Sequence, residues 1–316
     1  MGCPCALHIE ALHEDEARLA LGVAEAELRR LDRKYSHYRD DSLVAELSAL
    51  AGTDRLFKTD AETAGLLDFA AQMHAQSGGL FDITTGPLTR LWDLRNGQIP
   101  SDAAVADALK RTGWHRLFWQ SGQLGVPTAG MSLDLGGVVK EYAADRVALL
   151  CREAGIAHGM VDLGGDLAVI GMHADGSAWR VGIQSPHDAA EAAAHIEIGA
   201  GGLATSGDYA RCAIVDGRRY SHIIDPRSGY PVDSYASVSV SGPSCLIAGA
   251  AATVAMLLGI DTGATWLTDL GLPHLCLSRT LDPGTCLATR ETVPQADEGA
   301  TPLNQAPSPA RGRGPG

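Results

Sequence analysis

The chain has 316 residues, of which 45% are hydrophobic and 20% are charged, and its formal net charge is −13. This size and apolar content predict a globular protein with a substantial core, built as one large domain or two closely packed halves. The acidic excess argues against a nucleic-acid partner, because it would repel the phosphate backbone. No apolar run is long enough to predict a membrane span, so no membrane partner is expected either.

The cysteines and the opening residues indicate a compartment. The seven cysteines are scattered and form no C-x-x-C pair, which argues against a zinc site or a redox motif. Met1–Ala11 contains no basic segment followed by an apolar one, so we expect no secretory signal. A reducing, cytoplasmic location is the prediction that fits both observations.

The N-terminal part of the chain predicts two helices. Glu14–Tyr38 has apolar residues at three- and four-residue steps, which is typical of an amphipathic helix followed by a polar turn. A second helix is expected after Thr59, with Glu62 completing a capping box. Its end is predicted at Ser77-Gly78-Gly79, where glycine favours a helix C-terminus.

Two polar positions near these helices are candidates for ligand binding. Leu80–Trp92 is expected to begin extended and to turn at Gly86-Pro87, and Asp82 lies in its first part. Asp82 is either a binding residue or a carboxylate that caps neighbouring N–H groups. Tyr38 lies in the polar run 36–39, where its ring either stacks on a planar ligand or packs locally.

The middle of the chain predicts interleaved strands and helices. Met131–Leu135 is expected to be a short strand, and a helix is expected from about Lys140 to Glu153. A helix rich in small residues is expected at Ala248–Leu258. Further strands are expected at Met160–Leu163, Asp166–Ile170, Trp179–Ile183, Ala193–Ile198 and Ser237–Val240. Because these elements lack regular βαβ spacing, the sequence predicts an α+β fold with mixed or antiparallel sheets and packed helices.

The tetrapeptide Asp-Leu-Gly-Gly occurs twice, at Asp134–Gly137 and Asp162–Gly165. The repeat indicates either an internal duplication or two similar turns that follow strands. Gly136 and Gly137 precede a helix, so their N–H groups could bind an anion, and Lys140 would add a positive charge. The alternatives are a structural glycine turn and a solvated lysine.

A hairpin is predicted within Ala204–Val232, whose sequence is ATSGDYARCAIVDGRRYSHIIDPRSGYPV. Two β-like runs, Cys212–Val215 and Tyr220–Ile224, flank Asp216-Gly217, which favours a tight turn. The stretch before the hairpin is rich in hydroxyl groups and glycine.

His222 would lie on the second strand of this hairpin, close to Asp225 and preceded by the acid Asp208. A histidine beside carboxylates and hydroxyls is typical of sites for acid–base or phosphate chemistry. The alternative is a structural histidine.

From residue 291 onward the chain consists mainly of proline, glycine, alanine and polar residues. Such a composition cannot bury enough apolar surface to fold. We therefore expect one domain over residues 1–290 and a disordered tail over residues 291–316.

Five segments resemble, in order and spacing, the FAD:protein FMN transferases known as the ApbE family. These segments are FDITTGPLTRLW, LDLGGVVKEYAADR, VDLGGDLAVIG, ATSGDY and YSHIIDPRSGYPV. Met1–Cys5 resembles the family's M-G-[ST] opening strand, and the likeness extends to about residue 260. The resemblance implies an ApbE-like fold that binds FAD and, with Mg²⁺, transfers the FMN half to a Thr or Ser hydroxyl of an acceptor protein, releasing AMP. Some members of the family instead hydrolyse FAD to FMN and AMP.

The resemblance also implies roles for individual residues. His222 and Asp225 correspond to catalytic positions, and the Val139 carbonyl and Thr253 to ligands of Mg²⁺. The positions implied to bind FAD are Met1, Tyr38, Leu80, Phe81, Asp82, Gly136, Gly137, Lys140, Tyr142, Ile223 and Ile224.

The chain departs from the family pattern at two positions. The family's metal-binding helix reads A-D-A-x-A-T-A, whereas Ala248–Val254 keeps Thr253 and has Gly249 in place of the aspartate. The only carboxylate of this part of the metal site is thereby lost, so weaker Mg²⁺ binding and slower turnover are expected. Glu141 stands where the family often has glycine. Two alternatives to a transferase therefore stay open: a non-catalytic protein that binds or delivers FAD, and an FAD pyrophosphatase.

Overall fold

The computed structural model describes residues 2–92, 98–186, 188, 191–207, 212–278 and 286–289. Met1, Asp208 and the expected tail lie outside the described residues. The helices are α1 (Glu14–Tyr35), α2 (Leu43–Ala49), α3 (Ala61–Gln76), α4 (Gly86–Leu91), α5 (Asp102–Leu109), α6 (Gly136–Glu153), α7 (Cys245–Leu258) and α8 (Gly263–Asp269). None of these described helices is both long and apolar enough to cross a membrane.

The strands form one large sheet and three small ones. They are β1 (Cys5–Ile9), β2 (Leu56–Lys58), β3 (Phe118–Gln120), β4 (Gln123–Gly125), β5 (Gly159–Leu163), β6 (Asp166–Gly171), β7 (Trp179–Gln184), β8 (Ala192–Ile198), β9 (Gly202–Gly207), β10 (Cys212–Val215), β11 (Arg218–Ser221), β12 (Tyr235–Gly242), β13 (His274–Ser278) and β14 (Cys286–Thr289). The large sheet has the order β1-β5-β6-β9-β12-β13-β14, and its neighbouring strands are antiparallel. The predicted α+β class is therefore confirmed.

The central strands are apolar on both faces because both faces are covered. Successive residues of a strand face opposite sides of a sheet. On β5, Val161 and Leu163 belong to the core formed with α6 and α7, whereas Met160 packs in a second core with Ile183 of β7 and Ile198 of β8. Helices, sheet and the β7–β8 hairpin thus form three layers.

The N-terminal helices follow the sequence prediction, except for one cap. Helix α1 ends at Tyr35, and α3 begins after Asp60, whose carboxylate accepts a hydrogen bond from the Thr63 N–H at 2.8 Å. The predicted capping box at Thr59 and Glu62 is therefore wrong. The Glu62 carboxylate instead pairs with cationic side chains of α1.

Two loops that precede the site differ from the prediction. The predicted turn at Gly86-Pro87 is the start of α4, because proline fits the first turn of a helix well. Met131–Leu135 forms no strand, and α6 begins at Gly136 rather than near Lys140. The two Asp-Leu-Gly-Gly segments consequently differ in structure: one opens α6, and the other is the turn between β5 and β6.

The hairpin predicted around Asp216-Gly217 is confirmed. Cys212–Val215 pairs with Arg218–Ser221, and both turn residues have a positive φ, 51° at Asp216 and 76° at Gly217. Such left-handed angles at both central residues match the right-handed twist of a hairpin. The strand ends at Ser221, so the prediction that His222 lies on it is wrong by one residue.

Candidate active site

A cavity with a volume of about 680 Å³ lies where α6, α7 and the turn between β5 and β6 meet. This volume is within the range of pockets that bind small molecules and cofactors. Twelve of the residues singled out from the sequence line it: Tyr38, Leu80, Phe81, Asp82, Gly136, Gly137, Lys140, His222, Ile223, Ile224, Gly249 and Thr253. Segments far apart in the chain are thus brought to one place.

Three other candidates are described but do not line this cavity. Val139 is buried in α6. The hydroxyl of Tyr142 donates a hydrogen bond to Glu62 at 3.1 Å, and Asp225 forms an ion pair with Arg227 at 2.8 Å. The contacts that the structure gives to Tyr142 and Asp225 are contacts that hold the fold.

The N-terminus of α6 opens on the cavity through Gly136 and Gly137. The Gly136 N–H donates to the Asp134 carboxylate at 2.8 Å, and a side chain at Gly137 would have open space around it. In the second Asp-Leu-Gly-Gly segment, the Gly165 N–H donates to Asp162 at 2.7 Å. The partial positive charge at the start of this 18-residue helix suits an anionic ligand.

One side of the cavity carries an exposed aromatic ring over apolar residues. Tyr38 is 75% exposed, and its ring centroid lies 3.9 Å from that of His37. Leu80 and Phe81 are buried nearby. The Asp82 carboxylate accepts hydrogen bonds from the Thr84 N–H at 2.8 Å and the Trp114 N–H at 2.9 Å. The Asp82 side chain therefore holds its own loop, which is the second of its two interpretations.

A cluster of Lys140, Glu141 and Asp166 lies at the base of the cavity. The Lys140 ammonium group forms an ion pair with Asp166, and it lies 3.8 Å from Oε1 of Glu141. Burial, reinforced by the negative charge of Asp166, raises the pKa of the Glu141 carboxyl to about 8. Its Oε2 atom is buried without a hydrogen-bond partner among the described residues.

Helix α7 faces this cluster with Gly249 and Thr253. The Thr253 hydroxyl lies 3.0 Å from that of Ser206 at the end of β9. A Cβ atom at position 249 would lie 2.5 Å from Cγ and 3.2 Å from Oε1 of Glu141. The Glu141 carboxyl thus fills the space beside Gly249, and the expected loss of a carboxylate from the metal site stays a prediction.

His222 lines the cavity directly after the end of β11. Its side chain is exposed, whereas Ile223 and Ile224 beside it are buried. The Ile223 N–H donates to the hydroxyl of Ser221 at 3.1 Å, which fixes the chain where it leaves the strand. His222 thus lies between a strand end and two buried isoleucines.

Glu141 and Asp166 are lining residues that the sequence patterns do not indicate as site residues. In the sequence, Glu141 is a departure from the family pattern and Asp166 is the start of an expected strand. Within the described ranges, no group of three or more His, Cys, Asp or Glu side chains is arranged to hold a metal ion. A cation here would therefore also need hydroxyl, backbone, water or substrate oxygens.

These features define an α+β protein whose cavity suits a ligand with both an aromatic ring and phosphate groups. The ApbE family model matches residues 1–275, and the chain belongs to the ApbE family. The resemblance found in the motifs is thereby confirmed.

Individual relatives agree with this assignment. The FAD:protein FMN transferase of Klebsiella pneumoniae (strain 342) is 33% identical over 282 residues, which cover 86% of this chain and 80% of that protein. The crystal structure of the ApbE protein from Thermotoga maritima is similar with a TM-score of 0.81 at 28% identity, covering 87% of this chain and 91% of that one. The flavin transferase ApbE from Vibrio cholerae is similar with a TM-score of 0.79 at 28% identity, covering 90% and 92%.

Proposed function

We propose that this chain transfers the FMN moiety of FAD to a Thr or Ser hydroxyl of an acceptor protein and releases AMP, with Mg²⁺ as the metal. Its family membership and the names of its relatives support the proposal. The observation that carries it is one cavity that joins the exposed ring of Tyr38 to the glycine-opened start of α6 and to Lys140. The first suits a flavin or adenine ring, and the others suit a pyrophosphate.

The residues of the cavity have separate roles in this reaction. The acceptor hydroxyl oxygen attacks the phosphorus of the FMN half, and the bond from that phosphorus to the bridging oxygen breaks. AMP leaves with that oxygen. The N–H group at Gly137 and the charge of Lys140 orient the pyrophosphate and stabilise its developing charge. His222 accepts the proton of the attacking hydroxyl.

The oxygen-rich base of the cavity fits a Mg²⁺ ion, because Mg²⁺ prefers hard oxygen ligands. The Glu141 carboxyl, whose Oε2 atom has no hydrogen-bond partner among the described residues, belongs to this base, as do the neighbouring hydroxyls of Thr253 and Ser206. Thr253 and a carboxylate of the Lys140–Glu141–Asp166 cluster would hold the ion, with water and substrate oxygens completing its shell. When bound, Mg²⁺ supplies neutralisation of negative charge on the phosphates.

The proposal is tested with the full chain, FAD, Mg²⁺ and a candidate acceptor that carries an exposed Thr or Ser. We expect covalent flavin fluorescence on the acceptor and one AMP for each flavin transferred. AMP and free FMN without covalent flavin would identify an FAD pyrophosphatase. Binding of FAD without either product would identify a storage or delivery protein. A cytoplasmic location stays a prediction from the scattered thiols.

A further inference from the structure

The Glu141 carboxylate is the least satisfied charged group at the base of the cavity. The residue is 6% exposed, and its Oε2 atom has no hydrogen-bond partner among the described residues. A buried carboxylate oxygen without a partner is costly to the fold, because the group has lost its hydration without replacement. The same residue lines the cavity, so its carboxyl group borders the space that a ligand would occupy.

The neighbouring charges leave Glu141, rather than Asp166, available to a cation. Asp166 already has the Lys140 ammonium group and accepts a hydrogen bond from the Thr205 N–H at 3.1 Å. In the described ion pairs, Lys140 is the one cation that serves both carboxylates, and it lies nearer to Asp166. The cluster thus has one cation for two carboxyl groups, and Glu141 is the carboxyl that the cation pairs with less closely.

The position of this charge relative to α7 defines its possible ligand shell. Residues four apart on a helix share a face, so Gly249 lies one turn before Thr253 on the same side of α7. A Cβ atom at 249 would lie within 3.2 Å of Oε1 of Glu141. The carboxylate of Glu141 therefore occupies the space that a side chain from position 249 would occupy.

We infer that Glu141 supplies from α6 the charged oxygen ligand of the Mg²⁺ site, together with Thr253 of α7, and that Gly249 is the residue that leaves room for it. This inference rests on the proposed function for the identity of the metal. Its geometry does not require that flavin transfer occurs. The site is built from one carboxylate and one hydroxyl of the chain, and phosphate oxygens and water complete it.

Binding of Mn²⁺, a paramagnetic substitute for Mg²⁺, tests the inference without any turnover. Electron paramagnetic resonance counts free Mn²⁺ in titrations of the full chain, with and without saturating FAD. E141Q keeps the shape of the side chain and removes its charge. We expect it to weaken Mn²⁺ binding by at least about 10-fold, since even residues behind the direct ligands cost that much. E62Q, at a half-buried glutamate outside the cavity lining, is the matched control and should bind Mn²⁺ as the wild type does.

A second arm moves the carboxylate from one helix to the other. E141G should lose Mn²⁺ affinity as E141Q does, and the double variant E141G/G249D should recover most of it. FAD binding, followed by flavin fluorescence, should persist in all of these variants. Wild-type Mn²⁺ affinity in E141Q, no recovery in the double variant, or a loss of FAD binding in both E141Q and E141G would each overturn the inference.

The two proposals can fail separately. A wild-type chain that binds Mn²⁺ through Glu141 but transfers no flavin would overturn the proposed function and leave the inference standing. A chain that transfers flavin with Mg²⁺, while E141Q binds Mn²⁺ as the wild type does, would overturn only the inference.

Discussion

The half-buried Glu62 and the buried Glu141 both lie close to α6, and their surroundings are opposite. Glu62 accepts hydrogen bonds from Arg30 at 2.9 Å, from Lys34 at 2.8 Å and from the Tyr142 hydroxyl at 3.1 Å. Glu141 has one lysine at 3.8 Å, a second carboxylate beside it and an oxygen without a described hydrogen-bond partner. The first cluster connects α1, α3 and α6, and the second faces the cavity.

The pKa values of the two carboxyls express the same difference. Burial raises the pKa of Glu62, but Arg30 and Lys34 lower it by more, so that the resulting value is about 2. Burial and the charge of Asp166 both raise the pKa of Glu141, to about 8. A glutamate that stabilises the fold is surrounded by donors. A glutamate that binds a ligand has unfavourable surroundings until the ligand is present. Carboxyls in cavities with strongly shifted pKa values are therefore candidates for functional residues.

The largest expected effect is a loss of flavin-transfer rate on substitution of a residue that lines the cavity. H222A should lower the rate of flavin transfer by about 10²–10⁴-fold, the usual contribution of a general acid or base. FAD affinity and the free energy of unfolding should change little, because the side chain is exposed. Transfer kinetics and chemical denaturation of the same preparation measure both. Full activity in H222A would return His222 to its structural interpretation.

A substitution in the Glu62 cluster should lower the stability of the fold and leave the rate of flavin transfer unchanged. E62Q should lower the free energy of unfolding at pH 7 by about 1.5–3 kcal/mol, the scale of hydrogen bonds to charged groups. Urea denaturation measures this loss, and flavin transfer at 25 °C should stay at the wild-type level. E141Q is the counterpart: it should leave stability nearly unchanged, because burial already disfavours the charged form of Glu141 and the amide replaces a carboxyl that is mostly neutral at pH 7.

The stability difference at position 62 should also depend on pH in one direction. Since the pKa of Glu62 is lowered in the folded state, its contribution is complete above the unfolded value, near 4.5, and is lost as pH falls toward 2. The gap between wild type and E62Q should therefore be constant from pH 7 to about pH 5 and shrink below it. A gap that widened on acidification would contradict this assignment of charges.

A smaller effect is expected when position 249 is changed alone. The family pattern has an aspartate at the position of Gly249. With Glu141 in place, the new Cβ atom would lie 2.5 Å from Cγ of Glu141, so we expect a loss of about 1–3 kcal/mol of stability from overpacking. Thermal unfolding compares G249D with E141G/G249D, where the crowding is relieved. Equal stability losses in both would show that Glu141 is not the obstacle.

The smallest effect concerns the rim of the cavity. Y38A should weaken FAD binding by about 1 kcal/mol, or about 5-fold, through lost stacking on an exposed ring. L12A, at an exposed apolar residue outside the cavity lining, is the control and should bind FAD normally. Fluorescence titration with FAD measures both, and equal affinities of Y38A and wild type would remove Tyr38 from the binding site.

Periodic and local patterns could be predicted from the sequence. The helix near Glu14–Tyr35, the small-residue helix α7 and the hairpin at Asp216-Gly217 follow from apolar spacing and turn chemistry. The start of α6 could not be predicted, because Gly136 and Gly137 are poor helix formers and tertiary contacts decide there. Gly86-Pro87 predicts a turn, but proline suits the first turn of a helix equally well, and α4 begins there.

Most of the cavity lining was also found from motifs, but the contact between Glu141 and Gly249 was not. The two residues are distant in sequence, and only packing of α6 against α7 brings them together. Each was noticed as a separate departure from the family pattern. Taken together, the two departures contain a signal: a carboxylate is gained at position 141 and lost at position 249.

The most direct test of this account is a crystal structure of the chain with FAD and Mn²⁺, in which anomalous scattering locates the metal. We predict one peak next to the pyrophosphate, at roughly 2.0–2.3 Å from a carboxylate oxygen of Glu141 and from the hydroxyl of Thr253, the range of hard-cation ligands. A peak that is bound only by Asp166, or FAD in a place other than the cavity between Tyr38 and α6, would contradict it.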